Sequence, residues 1–142
     1  MVTTRVSIED LLREAGARVT RPRLSVLRVL LEAPRALTHH EIARRVRYAH
    51  RVDRVTIYRV LDWLVAHRLA HRVASDDRVW RFNAAAEGAH ADDHMHFKCS
   101  RCGGITCLEG TRASRRVTLP KGYRQQRMEI TVKGLCAECA FA

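Results

Sequence analysis

Two C-x-x-C hooks stand far apart in the second half of this chain, Cys99-Ser-Arg-Cys102 and Cys136-Ala-Glu-Cys139. Each hook folds two thiolates back toward one ion, so together they offer a tetrahedral set suited to a structural zinc. Gly103-Gly104 follows the first hook and fits a tight knuckle turn. His94-Met-His96 precedes that hook, and a fifth cysteine, Cys107, follows it. Residues two apart on a strand point the same way, so His94 and His96 can share an ion. Cys107 lies on a β-like run that pairs naturally with the histidine run across the glycine turn. The three residues begin a second metal site, although a lone cysteine or histidine is usually an ordinary core or surface residue.

The elements that position these groups follow from composition and pattern. The chain has 142 residues and 46% hydrophobic content, enough for one domain or two small ones with packed cores. Lysine and arginine total 26 against 15 acidic residues, a formal charge of +11 that points to a polyanionic partner such as nucleic acid. The opening MVTTRVSIEDLLREAG lacks the apolar run of a signal peptide, and no stretch approaches the roughly 20 apolar residues of a membrane span. The expected location is the cytoplasm, where cysteines read as metal ligands before disulfides.

The first half carries helical punctuation. Ser7 with Asp10 resembles a capping box before the stripe Ile8, Leu11, Leu12 and Ala15. Thr20 caps a second helix with Pro22 in its first turn and Leu24, Leu27, Leu30 and Leu31 on its apolar face. Thr38 with Glu41 opens a third, through Ile42, Val46 and Ala49. Asp53 caps a fourth, from Arg54 to about His67, with Ile57, Leu61, Leu64 and Val65 inward. Leu69–Ala74 and Arg78–Asn83 then read as a hairpin turning at Ser75-Asp76-Asp77. Helices followed by a small hairpin outline a winged helix-turn-helix whose fourth helix enters the major groove. Arg54, Thr56, Tyr58, Arg59 and Asp62 lie off its apolar face. Arg59 suits a bidentate contact to guanine; Thr56 and Tyr58 suit phosphate or thymine methyl contacts. Ala84 to Asp93 is small and polar, a linker. Beyond it His94–Cys99, Ile105–Leu108 and Met128–Lys133 are β-like, and Gly110 to Arg116 fits a short helix or a loop.

At these residues a family resemblance is plain. Thr56-Ile-Tyr58-Arg59-Val-Leu61 resembles the recognition-helix signature of the ferric uptake regulator (Fur) family of bacterial metal-sensing repressors. Arg18-Val-Thr20-Arg-Pro-Arg23-Leu-Ser-Val-Leu27 is similar to that family's second helix. His94-Met-His96-Phe-Lys-Cys99-Ser-Arg-Cys102-Gly103 and Gly134-Leu-Cys136-Ala-Glu-Cys139 resemble its metal motifs. The resemblance implies a homodimer, metal-dependent binding to double-stranded DNA at a roughly palindromic operator, and no enzymatic activity. It places sensor ligands at His94 and His96. Cys107 stands where members commonly carry a carboxylate ligand, and His71 stands at the wing, where zinc-sensing members often take another. The implied regulatory set is His71, His94, His96 and Cys107, with Glu87 or His90 as substitutes for His71 and Asn83 nearby. The family's further site is expected to be absent, since Asp93, Met95 and Met128 occupy its positions. Ala36 replaces a common histidine, leaving His39 and His40 a few residues on, with His40 free to face DNA.

A thiolate among imidazoles favours zinc over iron or manganese. The expectation is therefore a protein like the zinc uptake regulator (Zur) branch, with two Zn(2+) per chain, one structural and one regulatory. It represses zinc-uptake genes, and metal binding locks the dimer in its operator-binding form; an iron- or peroxide-responsive regulator is the alternative. The expected fold is α+β: a winged-helix DNA-binding domain over 1–83, a hinge over 84–93, and a small α/β zinc-containing dimerisation domain over 94–142. A zinc enzyme with an open position on His94, His96 and Cys107 is the rival class, but no H-E-x-x-H or deaminase motif is present. A zinc-ribbon scaffold that binds nucleic acid regardless of metal is a third.

Overall fold

Four local hydrogen-bonded caps set the helices of the N-terminal half. The computed structural model describes residues 6–49, 51–85, 93–108, 117–126 and 128–142, and the chain divides into two compact units, Met1–Ala85 and Ala86–Ala142. In the first, Ser7 and Asp10 form a reciprocal capping box for α1 (Ile8–Glu14). Thr20 caps α2 (Arg21–Glu32), with Pro22 in the first turn, where a missing N–H costs nothing. After the two-residue strand β1 (Leu37–Thr38) comes α3 (His39–Ala49). There the Thr38 N–H donates to Glu41 at 2.8 Å and the Glu41 N–H donates to the Thr38 hydroxyl at 3.2 Å. Asp53 caps α4 (Arg54–Ala66), accepting the Thr56 N–H at 2.9 Å. The hairpin β2 (Ala70–Val73) and β3 (Arg81–Ala84) follows, and the strands lie in the order β1-β3-β2, all antiparallel.

The helices meet through apolar faces. Leu12 of α1, Val26, Leu27 and Leu30 of α2, Ile42 and Val46 of α3, and Ile57, Leu61 and Leu64 of α4 are buried in one cluster with Leu37 and Phe82 of the sheet. Each such aliphatic side chain contributes roughly 1.5–3 kcal/mol of transfer free energy. One expected core residue is misplaced. Leu31 is 44% exposed, because α2 turns about 100° per residue and its buried stripe is defined by Val26, Leu27 and Leu30. On α4 the stripe is wider than the sequence pattern suggests and includes Val60. The result is a winged helix-turn-helix, with α3 and α4 as the helix pair and β2–β3 as the wing.

The second unit is built on a three-stranded sheet of order β5-β4-β6, from β4 (Asp93–Cys99), β5 (Ile105–Cys107) and β6 (Met128–Gly134). The β4–β5 pair is an antiparallel hairpin across the glycine turn, where Gly103 has a φ of 73° that an L side chain rarely adopts. The β4–β6 pair is parallel, with Asp93 opposite Met128 and Cys99 opposite Gly134. The return that a parallel pair requires is made by β5, which runs antiparallel to β4, and the chain between Cys107 and Met128 joins the end of β5 to the start of β6. That stretch includes Gly110 to Arg116, which lies outside the described residues. A short helix, α5 (Ala137–Ala140), closes the unit. The fold as a whole is α+β, a helical unit with a small hairpin sheet followed by a sheet unit that carries a four-cysteine cluster.

Candidate functional site

Parallel pairing brings the two hooks together. Cys99 ends β4 and Gly134 ends β6 directly beside it, so Cys102 and Cys136 leave the same end of the sheet. An antiparallel pairing of two seven-residue strands would leave them about 20 Å apart. The Ser100 N–H donates to the Gly134 carbonyl at 2.7 Å, and the Arg101 guanidinium donates to the Cys139 carbonyl at 2.8 Å, joining one knuckle to the other. Phe97 packs so close to Gly134 that a Cβ there would sit 3.1 Å from the ring.

The four sulfur atoms of Cys99, Cys102, Cys136 and Cys139 all lie within 4.8 Å of one another. Ligands about 2.3 Å from a tetrahedral zinc stand about 3.8 Å apart, and the Cys102 and Cys136 sulfurs are 3.9 Å apart. The donor set fits the ion. Backbone N–H groups already favour thiolate here: that of Cys136 donates to Cys99 Sγ and that of Gly104 to Cys102 Sγ, both at 3.4 Å. Backbone hydrogen bonds from Cys102 and then Cys136 hold the Cys99 thiol down to about 6. The Cys136 thiol beside it, followed by burial, pushes Cys139 up to about 12. Four crowded thiols cannot all ionise alone, and a dication among them is what would keep all four deprotonated.

On the same strand pair His96 lies directly opposite Cys107. Directly opposed residues of an antiparallel pair share a face, and the ligand atoms of these two are within 4.8 Å of each other. His96 is buried and Cys107 half-buried. The ligand atoms of His96 and Cys107, paired in expectation from the sequence, thus lie close together within one unit. His94 lies on β4 with its backbone in register with Glu129, and its side chain lies outside the described residues. Glu87 and His90 also lie outside them. His71 belongs to the first unit, on β2 opposite Asn83, and is half-buried.

The α4 surface carries the residues expected to meet nucleic acid. Arg54, Tyr58 and Arg59 are exposed and Thr56 is half-buried. Thr56 is partly committed: its side chain, then its backbone, hydrogen-bonds Asp53 and holds that carboxyl below its ordinary value, with Arg59 adding a smaller attraction. Asp62 is paired with Arg72 of the wing at 2.7 Å, which ties β2 to α4. The Arg72 guanidinium also lies 5.3 Å from the ring centre of the half-exposed Trp80. Farther along α4, Trp63 is stacked on His67 and covered by the Arg23 guanidinium at 4.4 Å. Sequence reasoning missed these wing and helix contacts. Cation and aromatic types were visible, but the Asp62–Arg72 and Arg23–Trp63 partners are 10 and 40 positions apart and no spacing rule links them. His40 is exposed on α3, as its place in the sequence allows.

Residues 14–132 match the sequence profile described as the ferric uptake regulator family. The chain is 40% identical over 100 residues to ferric uptake regulation protein 1 of Mycolicibacterium fortuitum, a stretch covering 70% of this chain and 59% of that protein. It is 27% identical over 135 residues to the zinc uptake regulation protein of Escherichia coli K12, covering 92% of this chain and 78% of that one. Among solved structures, holo XcZur superposes with a TM-score of 0.65 at 26% identity, over 95% of this chain and 97% of that one.

Proposed function

We infer, because the chain belongs to the ferric uptake regulator family, that this metal-responsive DNA-binding transcriptional regulator is a zinc-responsive repressor of metal-uptake genes. Members of the family bind operator DNA as dimers and are not enzymes. The observation that carries the choice of zinc is the donor pair His96–Cys107, adjacent across one ladder with ligand atoms within 4.8 Å. One thiolate with imidazoles suits zinc, whereas iron and manganese prefer carboxylate-rich sites of higher coordination.

In this reading Cys99, Cys102, Cys136 and Cys139 hold a permanent zinc that closes the second unit, and His94, His96 and Cys107 hold the exchangeable one, with His71 from the first unit completing the set. A bound zinc would supply a rigid crosslink among those side chains and raise the population of the DNA-competent dimer. The rest is done by the protein's own residues. Asp53 caps α4, the core holds its inner face, and Arg54, Thr56, Tyr58 and Arg59 meet the major groove. The 84–93 stretch acts as the hinge between 1–83 and 94–142. Two such helices related by a two-fold axis require a roughly palindromic operator. Support for a homodimer formed by the second unit comes from β6, an edge strand of its sheet, and from Val132, Leu135 and Phe141, which stand 40%, 48% and 93% exposed. The regulator works in the cytoplasm.

An iron-responsive regulator is the second reading, favoured by the 40% identity to a protein named for ferric uptake regulation. Metal content of the purified protein separates the two. Two zinc per chain, one removed by mild chelation, is the expected result; iron filling the labile site in place of zinc would establish the second reading.

A further inference from the structure

The ring of Tyr58, which projects from the outer face of α4, has one face already occupied. His39, the first residue of α3, stacks on it with ring centres 3.4 Å apart and planes 10° from parallel. Tyr58 is nevertheless 49% exposed, so its remaining surface faces outward beside Arg59. His39 is half-buried, and burial is the largest cause holding its pKa below the ordinary 6.5. The charges of Arg54 and His40 push the same way, while a hydrogen bond with the Arg54 backbone opposes them. The imidazole in the stack is therefore held toward its neutral form. The Nε2 of His39 is buried and makes no hydrogen bond among the described residues. The position accepts that cost, and what the imidazole supplies in return is its flat face toward Tyr58 and its edge toward the Arg54 backbone.

We propose that His39 is a positioning residue for operator recognition, holding the Tyr58 ring in the orientation with which it meets DNA. The proposal rests on Tyr58 being a DNA contact, as in the function proposed above. An exposed aromatic side chain on a helix face samples several rotamers, and each must be given up on binding. Stacking between α3 and α4 removes that freedom in advance. The location of His39 makes this natural: the Thr38–Glu41 capping box fixes the residue at the first turn of α3, where its ring meets Tyr58 on α4. His39 makes no base contact in this scheme and acts through Tyr58.

The test uses the full-length, zinc-loaded protein and a duplex obtained by selection from a randomised pool with the wild-type protein. Affinities are measured by fluorescence anisotropy for wild type, His39→Ala, His39→Phe, Tyr58→Ala and the His39→Ala/Tyr58→Ala double variant, with thermal midpoints recorded for each. Aromatic pairs of this kind are worth enough to change binding roughly three- to tenfold. His39→Ala is expected to weaken binding by that factor, and His39→Phe, which keeps a flat ring and cannot titrate, to restore it to within about twofold. The double variant is expected to bind no worse than Tyr58→Ala alone. Unchanged affinity in His39→Ala, failure of His39→Phe to rescue, or additive losses in the double variant would each overturn the positioning role. If Tyr58→Ala itself binds like wild type, the assignment of Tyr58 as a DNA contact falls and takes the positioning role with it. If Tyr58→Ala is impaired and His39→Ala is not, the positioning role alone falls.

Discussion

Gly134→Ala tests the sheet end from which both hooks hang. Gly134 is an ordinary strand residue opposite Cys99, and its lack of a side chain makes room for Phe97. An added Cβ would meet Phe97 Cε2 at 3.1 Å and Cζ at 3.3 Å, so the ring must retreat by a few tenths of an ångström. Two effects compete. Replacing a strand glycine by alanine stabilises by about 0.5–1 kcal/mol through the unfolded chain. Overpacking costs about 1–3 kcal/mol, and because Phe97 is only half-buried the lower part of that range applies. The net effect is a loss of about 0.5 kcal/mol, a fall of roughly 2–4 °C in the thermal midpoint of a domain this size. In a Phe97→Leu background the clash is gone, and the same substitution should raise the midpoint. Calorimetry of the four zinc-loaded proteins reads both signs. Stabilisation by Gly134→Ala in the wild-type background, or equal destabilisation in both, would refute the argument that Phe97 requires the glycine.

Other outcomes follow from the same structure. Leu61→Ala, at a fully buried position on α4, should cost about 2–5 kcal/mol in urea denaturation and leave the first unit marginal at best. Asp10 and Asp53 both cap helices and both have pKa values held below the ordinary 3.8, chiefly by hydrogen bonds from Ser7 and Thr56. Their contribution is complete above pH 3.8 and is lost as pH falls through the lower folded-state values; an Asp10→Asn/Asp53→Asn variant should show a flatter stability profile below pH 4 in chemical denaturation. Cys102→Ser should retain less than one tightly held zinc per chain by elemental analysis, because it breaks the four-sulfur cluster. Cys107→Ser should leave the dimer folded by sedimentation and circular dichroism while removing the zinc response of DNA binding.

What could be read from the chain was what is local. Ser7–Asp10, Thr20, Thr38–Glu41 and Asp53 cap their helices because a side chain three residues away is within reach whatever the rest of the fold does. The opposition of His96 and Cys107 was legible for the same reason, since a short glycine turn dictates hairpin pairing. The alternation of Met128 to Lys133 marked a strand but not its partner or direction, and the parallel register that unites the hooks was invisible. The two-residue β1 and the four-residue α5 are too short to carry a period. Leu31 fitted the spacing rule and still faces outward, because the rule marks a stripe and only packing decides its margins. The His39–Tyr58 stack joins two helices, so neither residue's neighbours announce it.

The most direct measurement concerns zinc and DNA together. Protein carrying one zinc per chain is titrated toward two while its affinity for the selected duplex is followed by anisotropy. Affinity should rise by roughly 5–150-fold as the second equivalent binds, and the Cys107→Ser variant should show no rise. Affinity that stays constant between one and two zinc per chain, or that rises only with ferrous iron, would contradict zinc as the signal.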